Sequence, residues 1–397
     1  MLKILLELVI KMKNKILIII VSLLMTGCYN YNELNDIAII SGLGIDIDNN
    51  NLKISALVAN GQSLNSNSKE GNAQPTLITG TGKNFTEAIK DIESKSAREL
   101  YIGHLNIVII NEKVAYERLF DIIDPLFRDP ETLKKYYIIL SKGTTSENIL
   151  KTLSPLETLP AENTSLNIVT SKKNLGYSNE VFLSTFIYKI LNKGLEPVLP
   201  TIILEGNIEE ADNIDDLKAS KVDTTLKMDS LALFKDYKLV GFATHDESKG
   251  INIINNEINT LTITNSCYKN KDKYIVTQID DIESKIKIIN KNKIEITVKS
   301  SGSINETNCN LDLQNDDVIK KINDTVKNNI KDIIYKGINK GKELDTDIFG
   351  FGNKIYKKYR KLDYDFKNLD IDVKTDVELK TKGSLETTLK EANNENK

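Results

Sequence analysis

The sequence of 397 residues contains no tryptophan, three cysteines and only two histidines. The histidines, His104 and His245, have no cysteine or second histidine close to them in the sequence. Structural and catalytic zinc sites need three or four nitrogen, sulfur or oxygen ligands at a recognisable spacing. The sequence therefore predicts no metal centre.

The sequence also has no large excess of positive or negative charge. The formal net charge is −3, and acidic and basic residues are interspersed along the chain rather than grouped in blocks. Nucleic-acid binding needs a clustered basic surface that can contact phosphates. We therefore expect no nucleic-acid partner.

Loops that bind ions or cofactors are present only in incomplete form. Residues 46–50 resemble the start of a calcium loop, but Asn51 and Leu57 occupy the positions that need glycine and glutamate. Residues 80–83 resemble a phosphate-binding loop, but Leu77 and Asn84 replace the required glycine and Ser/Thr. The sequence also has no Gly-x-Ser-x-Gly nucleophile motif. We predict that the protein has no cofactor and no catalytic residues, and is not an enzyme.

Long apolar runs are missing beyond the N-terminal region, where one short run follows Lys11, Lys13 and Lys15. This run, residues 16–25, has about half of the roughly twenty residues that a membrane-spanning helix needs. A basic region, a short apolar core and small residues before a cleavage site are typical of a secretory signal. The predicted signal peptide is 1–27, and we expect translation to start at Met12 rather than Met1.

The signal ends in Leu-Met-Thr-Gly-Cys at residues 24–28, which resembles the lipobox of bacterial lipoproteins. Cys28 is therefore the predicted lipid-attachment residue and the first residue of the mature chain. Two acyl chains hold a protein stably on a bilayer, whereas one chain does not. Of the two remaining cysteines, Cys267 and Cys309, an exported location permits a disulfide, but their spacing does not decide whether they pair.

The mature chain is predicted to have an α+β fold, with several domains of mixed sheets and packed helices. Residues 28–207 are predicted to form an α/β region of one or two subdomains, because strand patterns alternate with helix patterns. Its first strands, near residues 43–47 and 52–58, flank an Asn-rich turn. A capped helix follows Asn84, one helix carries the apolar residues between 115 and 126, and residues 153–200 are predicted to be mostly helical.

An acidic linker is predicted at 208–222, and a C-terminal α+β domain at 223–390. Strands near 230–234 and 239–242 are expected to open this domain, and a hairpin crosses residues 290–292. A long helix is predicted at 316–344, where apolar residues recur at helical spacing. The expected buried stripe consists of Ile319, Ile322, Val326, Ile330, Ile333, Ile334 and Ile338. Gly337 and Gly341 lie one turn apart on this helix, where small residues allow close backbone approach.

Six short motifs in a fixed order behind the lipobox resemble the Ger(x)C family, the lipoprotein C subunit of bacterial spore germinant receptors. They are residues 41–46, 80–88, 100–105, 127–131, 196–200 and 347–352, and they follow residues 27–36, which contain the end of the lipobox and also match the family. The resemblance implies a non-catalytic subunit that is needed for germination in response to nutrients. It implies assembly with the receptor A and B subunits, attachment to the membrane through the lipid on Cys28, and a location on the extracytoplasmic face, in the inner membrane of the dormant spore.

The motif at 347–352 follows the long helix and offers a possible site of partner contact. Asp347, Phe349, Gly350 and Gly352 are the candidate contact residues, and the alternative is a structural turn that ends the helix. For the whole protein, the alternative function is a solute-binding lipoprotein of a transporter. The sequence does not indicate which germinant is sensed, or whether this subunit binds it.

Overall fold

A computed structural model of the chain describes residues 11–17, 36–59, 75–130, 134–154, 159–206, 224–267, 270–313, 315–361 and 364–380. Residues 11–17 are helical. The later residues form two mixed β-sheets with packed helices, which confirms the predicted α+β class. Cys28, the predicted linker at 208–222 and most of the predicted signal peptide lie outside the described residues. Within the described ranges, no helix is both long and apolar enough to cross a bilayer.

The first sheet has nine strands among the described residues. In chain order they are β1 (Ile37–Asp48), β2 (Asn51–Ala59), β3 (Thr76–Gly82), β4 (Glu99–Tyr101), β5 (Ile107–Asn111), β6 (Tyr137–Ser141), β7 (Val198–Gly206), β8 (Thr224–Lys235) and β9 (Lys238–Phe242). Their order across the sheet is β3–β2–β1–β5–β6–β7–β8–β9, with β4 beside the start of β1. Strands β1, β5, β6 and β7 are parallel, and antiparallel hairpins extend both sides of this centre.

Nine further helices in the described part of the chain pack on the two sheets. They are α1 (Phe85–Glu93), α2 (Glu112–Glu117), α3 (Leu119–Arg128), α4 (Ser146–Lys151), α5 (Pro160–Leu175), α6 (Leu183–Leu191), α7 (His245–Ile254), α8 (Asp316–Glu343) and α9 (Phe351–Tyr359). Strand β5 shows how they are arranged. Val108 and Ile110 pack towards α1, α2, α3 and α6, whereas Ile107 and Ile109 pack towards α4 and α5. Helices therefore cover both faces of the parallel centre, as parallel sheets require.

The predicted β1–β2 hairpin is confirmed. Strands β1 and β2 pair in antiparallel register up to Asp48 and Asn51, and the turn places Asn49 and Asn50 at φ of 47° and 67°. Asparagine tolerates this left-handed conformation, and two such residues match the twist of a two-residue hairpin. The capped helix after Asn84 is confirmed as well, because the Asn84 side chain accepts a hydrogen bond from the Glu87 amide at 2.9 Å.

Two boundaries differ from the prediction in the first half of the chain. The helix expected around residues 115–126 is two helices, α2 and α3, because Arg118 leaves the helical conformation (φ −139°). Its guanidinium donates to the Lys83 carbonyl at 2.7 Å and pairs with Asp121 at 2.8 Å, which fixes the break. The predicted helical region 153–200 also extends too far, since β7 already begins at Val198.

Strands β8 and β9, which the sequence predicts to open the C-terminal domain, extend the first sheet instead of joining the second. Strand β8 pairs with β7 from Leu233 beside Val198 to Thr224 beside Gly206, and β9 pairs with β8. The physical reason is that β7 would otherwise leave one edge unpaired. The acidic segment 208–222 thus joins two neighbouring strands of one sheet.

The second sheet contains β10 (Leu261–Cys267), β11 (Asn270–Asn290), β12 (Lys293–Thr307) and β13 (Asp370–Lys380). Strands β10, β11 and β12 form antiparallel hairpins, and β13 pairs with β12 in parallel. The predicted hairpin across 290–292 is therefore confirmed, as is the long helix, α8. Its predicted stripe is buried except at Ile319, which is partly buried. A disulfide joins Cys267 at the end of β10 to Cys309 after β12.

Helices α7 and α8 cross with their backbones in direct contact at Gly250 and Gly337. A β-carbon placed on Gly250 would lie 2.1 Å from the Ile333 carbonyl oxygen. One placed on Gly337 would lie 2.8 Å from the Ile251 nitrogen. The close approach predicted for Gly337 is confirmed, and its partner is α7.

Candidate functional site

An apolar groove of about 320 Å³ lies between α3 and α6 on one face of the first sheet, and Tyr237 in the β8–β9 turn also lines it. We call it the α3–α6 groove. The residues that line it are Phe120, Ile123, Asp124, Phe127, Arg128, Ile187, Ile190, Leu191 and Tyr237.

The two helices each bury one face on the sheet and leave apolar side chains on the other. In α3, Phe120 and Phe127 lie two turns apart on the outer face, with 55% and 44% of their surface exposed. In α6, Phe186 is fully buried, whereas Leu191 is 66% exposed. The outer faces of both helices therefore carry large apolar side chains that are not buried in the core, and these side chains line the groove.

The β8–β9 turn adds an aromatic ring to the groove. Asp236 and Tyr237 have φ of 48° and 64°, as in a tight two-residue hairpin. This turn brings the Tyr237 ring edge-to-face against Phe120, with ring centres 5.4 Å apart. At the rim, Arg128 pairs with Asp124 at 2.8 Å. The lining thus consists of apolar side chains and one ion pair. Such a lining suits the binding of another apolar surface rather than a catalytic reaction.

The candidate residues Asp347, Phe349, Gly350 and Gly352 are placed inside the fold, in the turn between α8 and α9. Asp347 is 5% exposed and Phe349 4% exposed. Gly350 has φ of 69°, and a β-carbon there would lie 3.0 Å from the Leu195 side chain. This burial favours the structural role of the turn over contact with a partner.

Asp347 organises the turn through its carboxylate. The carboxylate accepts hydrogen bonds from the backbone amides of Phe349, Phe351 and Gly352 and from the hydroxyl of Tyr364, at 2.7–3.3 Å. Burial raises the pKa of Asp347, and these hydrogen bonds act in the opposite direction. All these donors lie in the same half of the chain as Asp347, so the hydrogen bonds of its carboxylate are made within that half.

The same turn holds the segment that joins α6 to β7. The Glu196 amide donates to the Asp347 carbonyl at 2.9 Å, and the Asn353 amide donates to the Gly194 carbonyl at 2.9 Å. A β-carbon on Gly194 would lie 2.6 Å from the Gly352 backbone. Two motifs that are about 150 residues apart in the sequence therefore meet at one junction between the two halves of the protein.

The other candidates from the sequence have structural partners. Asp46 is buried and accepts hydrogen bonds from Ser146 and the Glu147 amide, so it caps α4 instead of binding calcium. The Thr81 amide donates to Asp91, and the loop around it packs directly on α1. His245 stacks on a tyrosine ring and lies 3.2 Å from a single carboxylate. In the residues that the structure describes, no group of three or more potential metal ligands occurs.

The groove itself was not identified from the sequence. A signal was present, because Phe120 and Phe127 lie on the outer face of an amphipathic helix at a spacing of seven. The contribution of Tyr237 could not be predicted, since it depends on β8 and β9 extending the first sheet.

Comparison with known protein families gives two matches that together cover most of the chain. Residues 30–204 match the family described as the spore germination protein N-terminal domain. Residues 229–383 match the family described as spore germination B3/GerAC like, C-terminal.

Individual relatives carry similar descriptions. Spore germination protein KC of Bacillus subtilis (strain 168) is 27% identical, over 87% of this chain and 87% of its own length. Spore germination protein GerQC of Bacillus cereus is 20% identical, over 94% of this chain and 100% of its own length. The crystal structure of the GerBC protein aligns with a TM-score of 0.49 and 17% identity, covering 86% of this chain and 97% of that one.

Proposed function

Because this chain belongs to the Ger(x)C family of spore germination proteins, we propose that it is a non-catalytic, lipid-anchored subunit of a germinant receptor. Its partners are the receptor A and B subunits, and its place is the extracytoplasmic face of the spore inner membrane. The observation that carries the proposal is the match of both family models, in order, over residues 30–204 and 229–383.

The proposed anchor is a lipid on Cys28, inferred from the sequence of residues 24–28. Cys28→Ala is expected to abolish lipidation, because the thiol is the acceptor of the lipid. Mass spectrometry of the mature N-terminus, together with fractionation of spore membranes, measures this result. Asn32→Ala, four residues after Cys28, is the control and is expected to keep the lipid. A mature wild-type protein that begins at another residue, or lacks a lipid on Cys28, would contradict the proposal.

We assign the α3–α6 groove as the surface that receives an apolar segment of a neighbouring receptor subunit. An exposed apolar patch of this kind, rimmed by charged residues, is typical of a protein-binding site. Aromatic side chains near the centre of such surfaces carry much of the binding energy. Phe120, Phe127 and Tyr237 are the aromatic residues that provide this surface.

The double variant Phe120→Ser/Phe127→Ser is expected to weaken binding of the neighbouring subunits by about 2 kcal/mol, or roughly thirtyfold, because it removes the exposed rings. Co-purification of the A and B subunits from spore membranes measures the loss. The matched control is Leu166→Ser/Val169→Ser, which removes similarly exposed apolar residues (48% and 40%) from α5 on the opposite face of the sheet. Equal co-purification of both variants, with unchanged melting temperatures, would contradict the assignment.

The alternative of a solute-binding lipoprotein finds less support in the fold. Such proteins usually have two similar lobes with a ligand cleft between them. Here the described residues form two different sheets, one of nine strands and one of four. The apolar groove lies on the outer face of one sheet, between α3 and α6.

A further inference from the structure

The junction between the two halves places one partly buried carboxyl group close to other negative charges. Glu196 lies between the β8–β9 turn and the α8–α9 turn, and it accepts a hydrogen bond from the Asp236 amide. Burial raises the pKa of Glu196 to about 7, and the charges of Asp236 and Asp347 act in the same direction. An acid with this pKa changes its charge around neutral pH, unlike an ordinary glutamate.

The other charged and titratable groups that face Glu196 do not cancel the rise in its pKa. Lys235, on β8, lowers the pKa of Glu196, but its ammonium group is 2.6 Å from Asp345. Tyr364 donates its hydroxyl proton to Asp347, and its own pKa is raised by burial and by the neighbouring carboxylates. The junction therefore contains more carboxyl groups than cations, so a proton on Glu196 relieves repulsion.

Two elements connect this junction to the α3–α6 groove. Glu196 follows Leu191, the last residue of α6, by five residues, and Leu191 lines the groove. Asp236 directly precedes Tyr237, whose ring packs on Phe120. The end of α6 and the β8–β9 turn, which both form the groove, are therefore attached directly to the junction at Glu196 and Asp236.

We propose that the protonation state of Glu196 controls the α3–α6 groove, so that partner binding there is linked to proton uptake. The proposal rests on the function proposed for the groove and adds its regulation. Protonated Glu196 keeps the junction packed and the groove formed. Ionised Glu196 is repelled by Asp236 and Asp347, which loosens the junction and changes the groove.

The direction of the pH dependence follows from linkage. In a solvated junction Glu196 returns to a pKa of about 4.3, whereas the packed junction holds it at about 7. The packed state therefore binds the proton more tightly. Its stabilisation is fully present below the lower value, and it is lost as the pH rises through about 7.

The chain has no tryptophan, so Tyr237→Trp introduces a single fluorescent reporter against Phe120 in the full-length protein. We expect its emission to titrate with a midpoint near pH 7 between pH 5 and 9. Adding Glu196→Gln is expected to abolish this transition, while adding Glu205→Gln, at the far end of β7 from Glu196, is expected to leave it unchanged. An unchanged transition in the Glu196→Gln protein, or no transition with Glu196 present, would overturn the proposal.

A second variant covers the case in which Glu196→Gln perturbs folding. Asp236→Asn removes a nearby negative charge and keeps the backbone amide that donates to Glu196. The midpoint is expected to move to lower pH, because a neighbouring negative charge raises the pKa of an acid. A midpoint that stays in place or moves up would count against Glu196 as the titrating group.

Binding of the A and B subunits provides the separate readout. Binding is coupled to one proton, on a group with a pKa of about 7. The affinity for the subunits can therefore weaken by at most about tenfold between pH 6 and pH 8. Tryptophan titration without any subunit binding would disprove the proposed function of the groove, but not its coupling to Glu196. Subunit binding that is independent of pH would disprove the regulation and leave the proposed function intact.

Discussion

Gly250→Ala is expected to destabilise the second half of the protein by about 3–5 kcal/mol. In an isolated helix the same change would add about 1 kcal/mol of stability, because alanine is the better helix former. At the crossing of α7 and α8, the same substitution lowers the stability instead. The new β-carbon would lie 2.1 Å from the Ile333 carbonyl oxygen, which is backbone and cannot move aside alone. The two helices must separate, and the core beneath them loses its packing.

Denaturant unfolding followed by circular dichroism measures this loss. Lys249→Ala, next to Gly250 on α7, is the control, since its weak surface ion pair with Asp246 at 3.9 Å contributes little. Gly143→Ala is a second control, because a β-carbon there meets nothing within 4 Å and only the φ of 71° opposes it. A Gly250→Ala protein as stable as the Lys249→Ala protein would show that the helices do not cross in contact.

Removal of the disulfide between Cys267 and Cys309 is expected to lower the free energy of unfolding by about 4 kcal/mol. The crosslink closes a chain segment of 42 residues, which restricts the unfolded chain and so disfavours unfolding. It joins the end of β10 to the residues that follow β12, so it fixes both outer strands of the antiparallel β10–β11–β12 unit. Both cysteines are buried, which shields the bond from reductants.

The double variant Cys267→Ala/Cys309→Ala tests this expectation in denaturant unfolding with and without dithiothreitol. The wild-type protein should lose stability when it is reduced after unfolding, and the double variant should be insensitive to the reductant. Titration of free thiols in the denatured wild-type protein identifies the crosslink directly. Two free thiols in addition to any at Cys28, or equal stability of both proteins, would rule the disulfide out.

Local patterns in the sequence were enough to predict the hairpins and the long helix. The β1–β2 turn follows from a run of three asparagines between two segments in which apolar residues alternate. The buried face of α8 follows from the spacing of residues such as Val326, Ile330 and Ile334. These features depend on neighbours within a few residues, so they are readable from a single sequence.

Features that depend on contacts between residues far apart in the sequence could not be predicted from the sequence alone. The assignment of β8 to the first sheet depends on the unpaired edge of β7, on the other side of the acidic segment. The meeting of Glu196 with Asp347 and the crossing at Gly250 require the complete arrangement of both halves. Cys267 and Cys309 likewise gave no indication of pairing before β10 and β12 were placed in the same sheet. The groove shares this dependence, because Tyr237 reaches Phe120 only through β8 and β9.

The pairing of β7 with β8 has a consequence for a chain that is cut in the acidic segment. Their ladder runs from Val198 beside Leu233 to Gly206 beside Thr224, so its hydrogen bonds span the cut. A protease nick within 208–222 is therefore expected to leave two pieces that remain associated without a covalent link. A fragment expressed only as far as residue 207 lacks this complement, and its bare strand edge becomes a template for aggregation.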